Sequence, residues 1–163
     1  MRALVAADRE VDFDAIYVGH VARLVRLAAL LGADDPEDVA QEAFCRLYAA
    51  RSRVREPDLV PYLNRIVVND VRSRGRRLRT AAGKRHLVGV AEVATDALGD
   101  RTAVLTEMAR LPQRQREALV LRYWLDLPYN EVAEAMGVTT GTAKSTVSRA
   151  ISALSAVLAE EDG

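Results

Sequence analysis

The amino-acid sequence predicts an all-α protein, with two small helical domains joined by a flexible linker. Three observations carry this. Ala, Leu, Val and Arg dominate while aromatics make up only 5%, and Ala, Leu and Arg are strong helix formers. Apolar residues recur every three or four positions through most of the chain, and the β-branched and aromatic runs that mark strands are absent. From Thr80 to Asp100 the periodicity fades into small residues and three glycines. The chain therefore divides into residues 1–79, a linker at 80–100 and a second unit at 101–163, and a length of 163 residues suits two small domains.

Phe13, Ile16/Tyr17, Val21, Leu24, Leu27/Ala28 and Leu31 form the apolar stripe of a first helix. Gly32 ends it, as glycine does after a last helical turn. Asp34 or Asp35 caps the next helix, with Pro36 in its first turn and Glu37 and Asp38 beside the positive end of the helix dipole. That helix buries Val39/Ala40, Ala43/Phe44 and Leu47/Tyr48 and ends near Arg51. Ser52 to Asp58, with Pro57, reads as a loop. A third helix starts near Pro61 and buries Leu63, Ile66/Val67 and Val71. Arg65, Asn69, Arg72 and Arg76 share its opposite face.

The linker, if extended at ~3.3 Å per residue, reaches roughly 65 Å, close to two turns of B-DNA at ~34 Å each. Beyond it, a short helix with Val104, Met108 and Leu111 leads to Pro112, and a longer one carries Ala118, Leu119, Val120 and Tyr123. Pro128 precedes a helix with Val132, Ala133 and Met136. Gly137 stops that helix, Val138 plugs the turn, and Thr139 caps a final helix running to about Leu158.

Net charge is zero, which alone argues against a nucleic-acid partner, but the distribution argues for one. Residues 1–50 carry five basic and nine acidic groups, while residues 51–86 carry eleven basic and three acidic. Both later segments, 87–113 and 114–163, are net −2. A concentrated cationic segment wants a polyanion, and the acidic one a different partner. The lone cysteine, Cys45, forms no internal disulfide and reads as a small hydrophobe in or beside a core. No metal-ligand cluster is present. No run approaches the roughly 20 apolar residues of a membrane span, and the N-terminus turns acidic without a signal-type apolar stretch. A cytoplasmic location is expected, with no cofactor and no metal.

Tyr129–Leu154 has the form of a helix-turn-helix: a helix of about eight residues, a tight turn at Gly137-Val138-Thr139, and a longer second helix. Ala133 is small where the helices cross, and Val138, Val147 and Ile151 pack inward. Thr139 accepts from the N–H of Gly141 or Thr142. The second helix presents Thr140, Thr142, Lys144, Ser145, Ser148 and Arg149, short polar groups and two cations suited to base edges and phosphates. By local pattern alone, an ordinary helical hairpin with a solvated face remains open.

The wider chain carries a resemblance. LPQRQREALVLRYWLDLPYNEVAEAMGVTTGTAKSTVSRA (Leu111–Ala150) resembles region 4 of bacterial sigma factors. DDPEDVAQEAFCRLY (Asp34–Tyr48) looks like region 2.2, and PYLNRIVVNDVRSRGRR (Pro61–Arg77) like regions 2.3 and 2.4. With only these two regions and a short linker, the chain is similar to the extracytoplasmic-function (ECF) group. The resemblance implies a protein that binds the β′ and β subunits of core RNA polymerase, recognises −10 and −35 promoter elements, and helps melt the duplex without catalysing a reaction. It makes 1–79 region 2 and 101–163 region 4.

It also implies roles for residues. Asp38, Gln41 and Glu42 would dock on the polymerase β′ clamp helices, which suits their common acidic face with Cys45. Tyr62 sits where the family often carries Trp, and would stack beside an unpaired base. Packing of Tyr62 within its own domain is the alternative. Arg65, Asn69, Arg72 and Arg76 would follow the −10 region, Asn reading a base edge and the arginines phosphates. The loop Arg51–Asp58 would hold a flipped base. Thr140, Thr142, Lys144, Ser145, Ser148 and Arg149 would face the −35 element. An anti-sigma protein is an expected further partner.

The chain departs from the family at three places. Pro128 stands where Ser usually caps the helix with Glu131, so that capping box is lost and Asp126 is left to substitute. Thr146 and Ile151 replace common arginines. A stand-alone DNA-binding regulator is the competing reading, and the aromatic-led basic helix speaks against it. A module that sequesters a protein is a third. An enzyme is disfavoured, because only His20 and His86 are available and neither lies in a nucleophile or metal motif.

Overall fold

The computed structural model describes residues 12–81 and 102–161, and these form helices without a strand. In chain order they are α1 (Phe13–Leu30), α2 (Pro36–Ala50), a 3-10 turn (Glu56–Asp58), α3 (Leu59–Ala81), α4 (Thr102–Arg110), α5 (Gln113–Leu119), a π turn (Val120–Trp124), α6 (Tyr129–Met136) and α7 (Thr140–Glu161).

Local chemistry sets the ends of the first helices. The Asp12 carboxylate accepts from Ala15 N–H at 3.2 Å and starts α1. Gly32, at φ +87°, ends it in the left-handed conformation that glycine adopts without steric cost. Of the two candidate caps for α2, Asp35 serves, accepting from Asp38 N–H at 3.0 Å. Helix α3 begins at Leu59, two residues before the expected start, because the 3-10 turn over Glu56–Asp58 leads straight into it. Pro61 then occupies the first turn, where its missing N–H has no helical partner to lose. The same helix continues through Thr80 and Ala81, so the expected linker loses its first two residues to α3. The rest of it, with the Gly-rich stretch and His86, lies outside the described residues.

Helices α1, α2 and α3 close around Leu24, Leu27, Val39, Leu63 and Val67, all fully buried. Phe13 and Tyr17 meet the Phe44 ring at centroid distances of 6.2 and 4.8 Å, fastening the start of α1 to α2. In the C-terminal half, α5, α6 and α7 pack around Leu121, Val132, Met136 and Val147. Buried apolar residues of both halves join in one cluster. Cys45 departs from its expectation. It is exposed on α2, because it falls on the same helix face as Gln41 and Asp38, away from the Val39–Ala43–Leu47 stripe. Ile151 is also not inward. It is 40% exposed, one position past the buried Ala150.

Between α5 and α6 the chain makes a π turn in which Leu125 N–H reaches Val120 C=O at 3.1 Å. The extra residue turns Tyr123 and Trp124 outward, and both are exposed. Asp126 follows at φ +52°. It does not cap α6. Its carboxylate lies 3.4 Å from Arg122, and α6 starts at Tyr129 after Pro128, with no side-chain cap.

Candidate functional site

Two polar surfaces and one turn motif gather the residues singled out by the sequence. The first surface lies on α2. Asp38 and Gln41 are exposed and Glu42 is half-buried, and the two carboxylates are held in a chain of alternating charge. Glu42 pairs with Arg46 at 2.9 Å, and Arg46 lies 3.9 Å from Asp70. Asp70 pairs with Arg74 at 2.8 Å, and Arg74 reaches Asp38 at 2.5 Å. Burial works against the charge on Arg74, but the hydrogen bond to Asp38 and the nearby Asp70 and Asp38 charges outweigh it and raise its pKa above the ordinary arginine value. The acidic face of α2 is thus tied to the basic helix α3 through Arg46 and Arg74, neither of which the sequence reading assigned. The signal for Arg46 was its four-residue offset from Glu42.

The second surface is α3. Arg65, Asn69 and Arg76 are exposed, and Tyr62 is half-buried against the apolar core. Arg46, Asn69, Asp70, Arg72, Ser73, Arg76 and Arg77 line a polar pocket of about 300 Å³. Ser73 and Arg77 extend the expected row. Arg72 differs from its neighbours. Its guanidinium turns into the C-terminal half, where it pairs with Glu117 and donates to Ala135 C=O at 2.9 Å. It lines that pocket with its neighbours, but its guanidinium is covered by the C-terminal half and not left open as helical spacing assigned it.

The turn motif is built as its residues dictate. Gly137 at φ +67° closes α6, and Val138 N–H bonds back to Ala133 C=O at 3.0 Å. Thr139 Oγ1 accepts from Thr142 N–H at 3.2 Å and caps α7. Thr140, Thr142, Lys144, Ser145, Ser148 and Arg149 all stand exposed on that helix. Arg149 folds back on its own helix, donating to Ser145 C=O at 3.3 Å. Lys144 lies 5.8 Å from the Tyr129 ring centroid, within cation–π range. Thr146 is buried and donates to Thr142 C=O at 2.7 Å.

Arginines of the LPQRQRE stretch brace this half. Arg114 donates to Met136 C=O at 3.0 Å at the end of α6. Arg116 donates to Ala109 C=O at 2.9 Å at the end of α4, and burial lowers its pKa. Cations at helix C-termini satisfy the last carbonyls and the dipole. A groove of about 350 Å³ lies beside the π turn, lined by Val104, Met108, Tyr123, Trp124, Ile151 and Leu154 among others. No sequence motif pointed to it, because it joins residues from four separated segments, Leu30 of α1 among them. Among the described residues there is no group of His, Cys, Asp and Glu that could hold a metal, and no helix long and apolar enough to cross a membrane.

Comparison with known proteins places both halves. Residues 16–81 match the model for sigma-70 region 2, and residues 101–154 match that for sigma-70 region 4. The RNA polymerase sigma-E factor of Streptomyces coelicolor is 31% identical over 85% of this chain and 81% of that protein. The ECF RNA polymerase sigma factor SigM of Mycobacterium tuberculosis is 33% identical over 97% of this chain and 82% of that one. Among solved structures, the sigma factor RpoE of Bartonella quintana, crystallised with the anti-sigma factor NepR, matches with a TM-score of 0.65. That match covers 90% of this chain and 96% of the other at 24% identity, a likeness of fold.

Proposed function

The chain belongs to the sigma-70 family, in its extracytoplasmic-function group, and from that premise we propose a division of labour among its residues. As an ECF sigma factor it binds core RNA polymerase, recognises −10 and −35 promoter elements and promotes melting. The observation that carries this is the pair of matched regions in the correct order, one bearing a basic helix and the other an exposed, capped polar helix.

Residues 1–79, with α3 running on to Ala81, act as region 2, the remainder up to 100 as the linker and 101–163 as region 4. Asp38, Gln41 and Glu42 dock on the polymerase β′ subunit, where an acidic face finds basic partners. Tyr62, Arg65, Asn69, Arg72 and Arg76 meet the −10 element, with arginines on phosphates and Asn69 on a base edge. Thr140, Thr142, Lys144, Ser145, Ser148 and Arg149 meet the −35 element. Two cations on that helix supply modest affinity, so polymerase and the basic first region supply much of the rest. The protein acts in the cytoplasm, performs no covalent chemistry itself, and is restrained by an anti-sigma protein.

Reconstitution tests this. Purified chain is mixed with core RNA polymerase and sheared genomic DNA, and transcripts are mapped. Discrete start sites that need the chain are expected. Failure to bind core, or transcripts unchanged by its presence, would sink the proposal.

A further inference from the structure

We propose that Tyr129 is a positioning residue for the DNA-reading helix. Its ring holds the Lys144 ammonium at the seam between α6 and α7, so that Lys144 grips the DNA backbone and takes no part in reading bases. This rests on the assignment of α7 to the −35 element above.

The ring is a fixed platform. Tyr129 is the first residue of α6, half-buried and packed against the apolar core. The Arg122 guanidinium, from the π turn, lies 5.1 Å from the same ring centroid. Arg122 is itself tied down. It donates to Leu127 C=O at 3.3 Å, lies 3.4 Å from the Asp126 carboxylate, and stands 5.6 Å from the Tyr123 ring. Lys144 is exposed on the second turn of α7, and its ammonium reaches to 5.8 Å from the Tyr129 centroid. At that range the negative face of the ring attracts a cation. The attraction gives one preferred direction to a flexible four-carbon stem.

That direction decides what Lys144 touches. In a helix-turn-helix the second helix enters the major groove while the first crosses the sugar–phosphate backbone. A lysine on α7 that leans toward the first residue of α6 therefore leans out of the groove and toward a backbone strand. Its ammonium serves a phosphate there as a point charge. Arg122, 29% exposed at its side chain, places a second cation at the same seam. Phosphate contacts fix a protein's register on the duplex but carry no sequence information directly. Base reading then falls to the other exposed side chains of α7, and Tyr129 acts on DNA only through Lys144.

The test has two arms. In proton NMR spectra of the free full chain, the ring current of Tyr129 is expected to shift the Lys144 ε-methylene protons upfield. Tyr129→Phe keeps that shift and Tyr129→Leu abolishes it. Its absence in the wild type would overturn the positioning, whatever the chain does with polymerase. The second arm uses holoenzyme assembled from the chain and core polymerase. Its DNA is a fragment carrying a start site found by the reconstitution, with single-base variants across the −35 element. Lys144→Ala is expected to weaken binding by a similar factor on every variant, and to lower the slope of log affinity against log salt by about 1. Tyr129→Leu is expected to weaken binding about two- to fivefold and to lower the salt slope although it removes no charge. Tyr129→Phe restores most of both, and in a Lys144→Ala background Tyr129→Leu changes the slope no further. Should Tyr129→Leu lose helix by circular dichroism, a ring-fluorinated phenylalanine at position 129 takes its place, since it keeps the ring's shape and drains its negative face. An unchanged slope in the folded ring variant would overturn the positioning, and a Lys144→Ala loss confined to particular bases would overturn the backbone role. Absence of any chain-dependent start site would refute the assignment of α7 to promoter DNA and the backbone role with it, an outcome the ring-current arm keeps distinct from failure of the Tyr129 contact.

Discussion

Arg72 and Glu117 lie 45 residues apart in sequence, on α3 and α5, and form an ion pair in which the carboxylate is almost wholly enclosed. The same guanidinium donates to the Ala135 carbonyl at the end of α6. One side chain thus joins the two matched regions of the chain. It stands in the basic row of α3 proposed above to meet DNA, and on that proposal DNA contact and interdomain contact compete for it.

That competition has a measurable energy. Removing one partner of a buried pair leaves the other charge uncompensated, so Arg72→Ala and Glu117→Ala each destabilise on their own. The double variant Arg72→Ala/Glu117→Ala loses less than the sum. A double-mutant cycle in urea should give a coupling of about 1–3 kcal/mol. A coupling near zero would show that the pair is not formed in solution.

Much of this architecture was legible in the sequence, and the reasons differ by element. Caps and glycines mark helix ends by local chemistry, so Asp35, Gly32, Gly137 and Thr139 stood where the pattern put them. Helical spacing located the face shared by Arg65, Asn69, Arg72 and Arg76, but spacing says nothing of what covers a face. Arg72 therefore left the row unannounced, and Glu117 carried no signal beyond being an acid. Ile151 and Cys45 missed by one step of helical rotation, since a single apolar side chain at a stripe's edge can fall either way. The charge chain from Glu42 through Asp70 to Asp38 needed the packing of α2 on α3 before it could be seen.

The glycines make opposite predictions. Gly137 sits at φ +67°, so Gly137→Ala forces a left-handed residue with a Cβ and costs roughly 1–2 kcal/mol. Gly19 lies exposed inside α1 with nothing within 4 Å of a built Cβ, so Gly19→Ala stabilises by about 0.5–1 kcal/mol. Chemical denaturation of the two variants checks both signs.

Docking on polymerase is expected to depend on the acidic face of α2. Asp38→Ala should weaken core polymerase binding about tenfold or more, an effect of about 1.4 kcal/mol, read by competition against a labelled wild-type chain. Raised salt should shrink the difference, because the exposed carboxylate acts through screened charge. A salt-independent loss would point instead to damage at the start of α2, where Asp38 N–H meets the Asp35 cap.

The exposed helix α7 carries the remaining prediction. Lys144→Ala and Arg149→Ala each remove a cation from the surface assigned to the −35 element and leave the buried residues Ala143, Val147 and Ala150 untouched. Run-off initiation at a cognate promoter should fall by about five- to tenfold for each. Core binding should remain at the wild-type level, because the acidic face on α2 is intact. Thr139→Ala supplies the contrast. It removes the hydroxyl that accepts from Thr142 N–H and lowers stability by about 1 kcal/mol, so its loss of initiation should track temperature while the losses at Lys144 and Arg149 track salt. If all three variants lost core binding in parallel with initiation, α7 would belong to the polymerase interface and its assignment to DNA would be wrong.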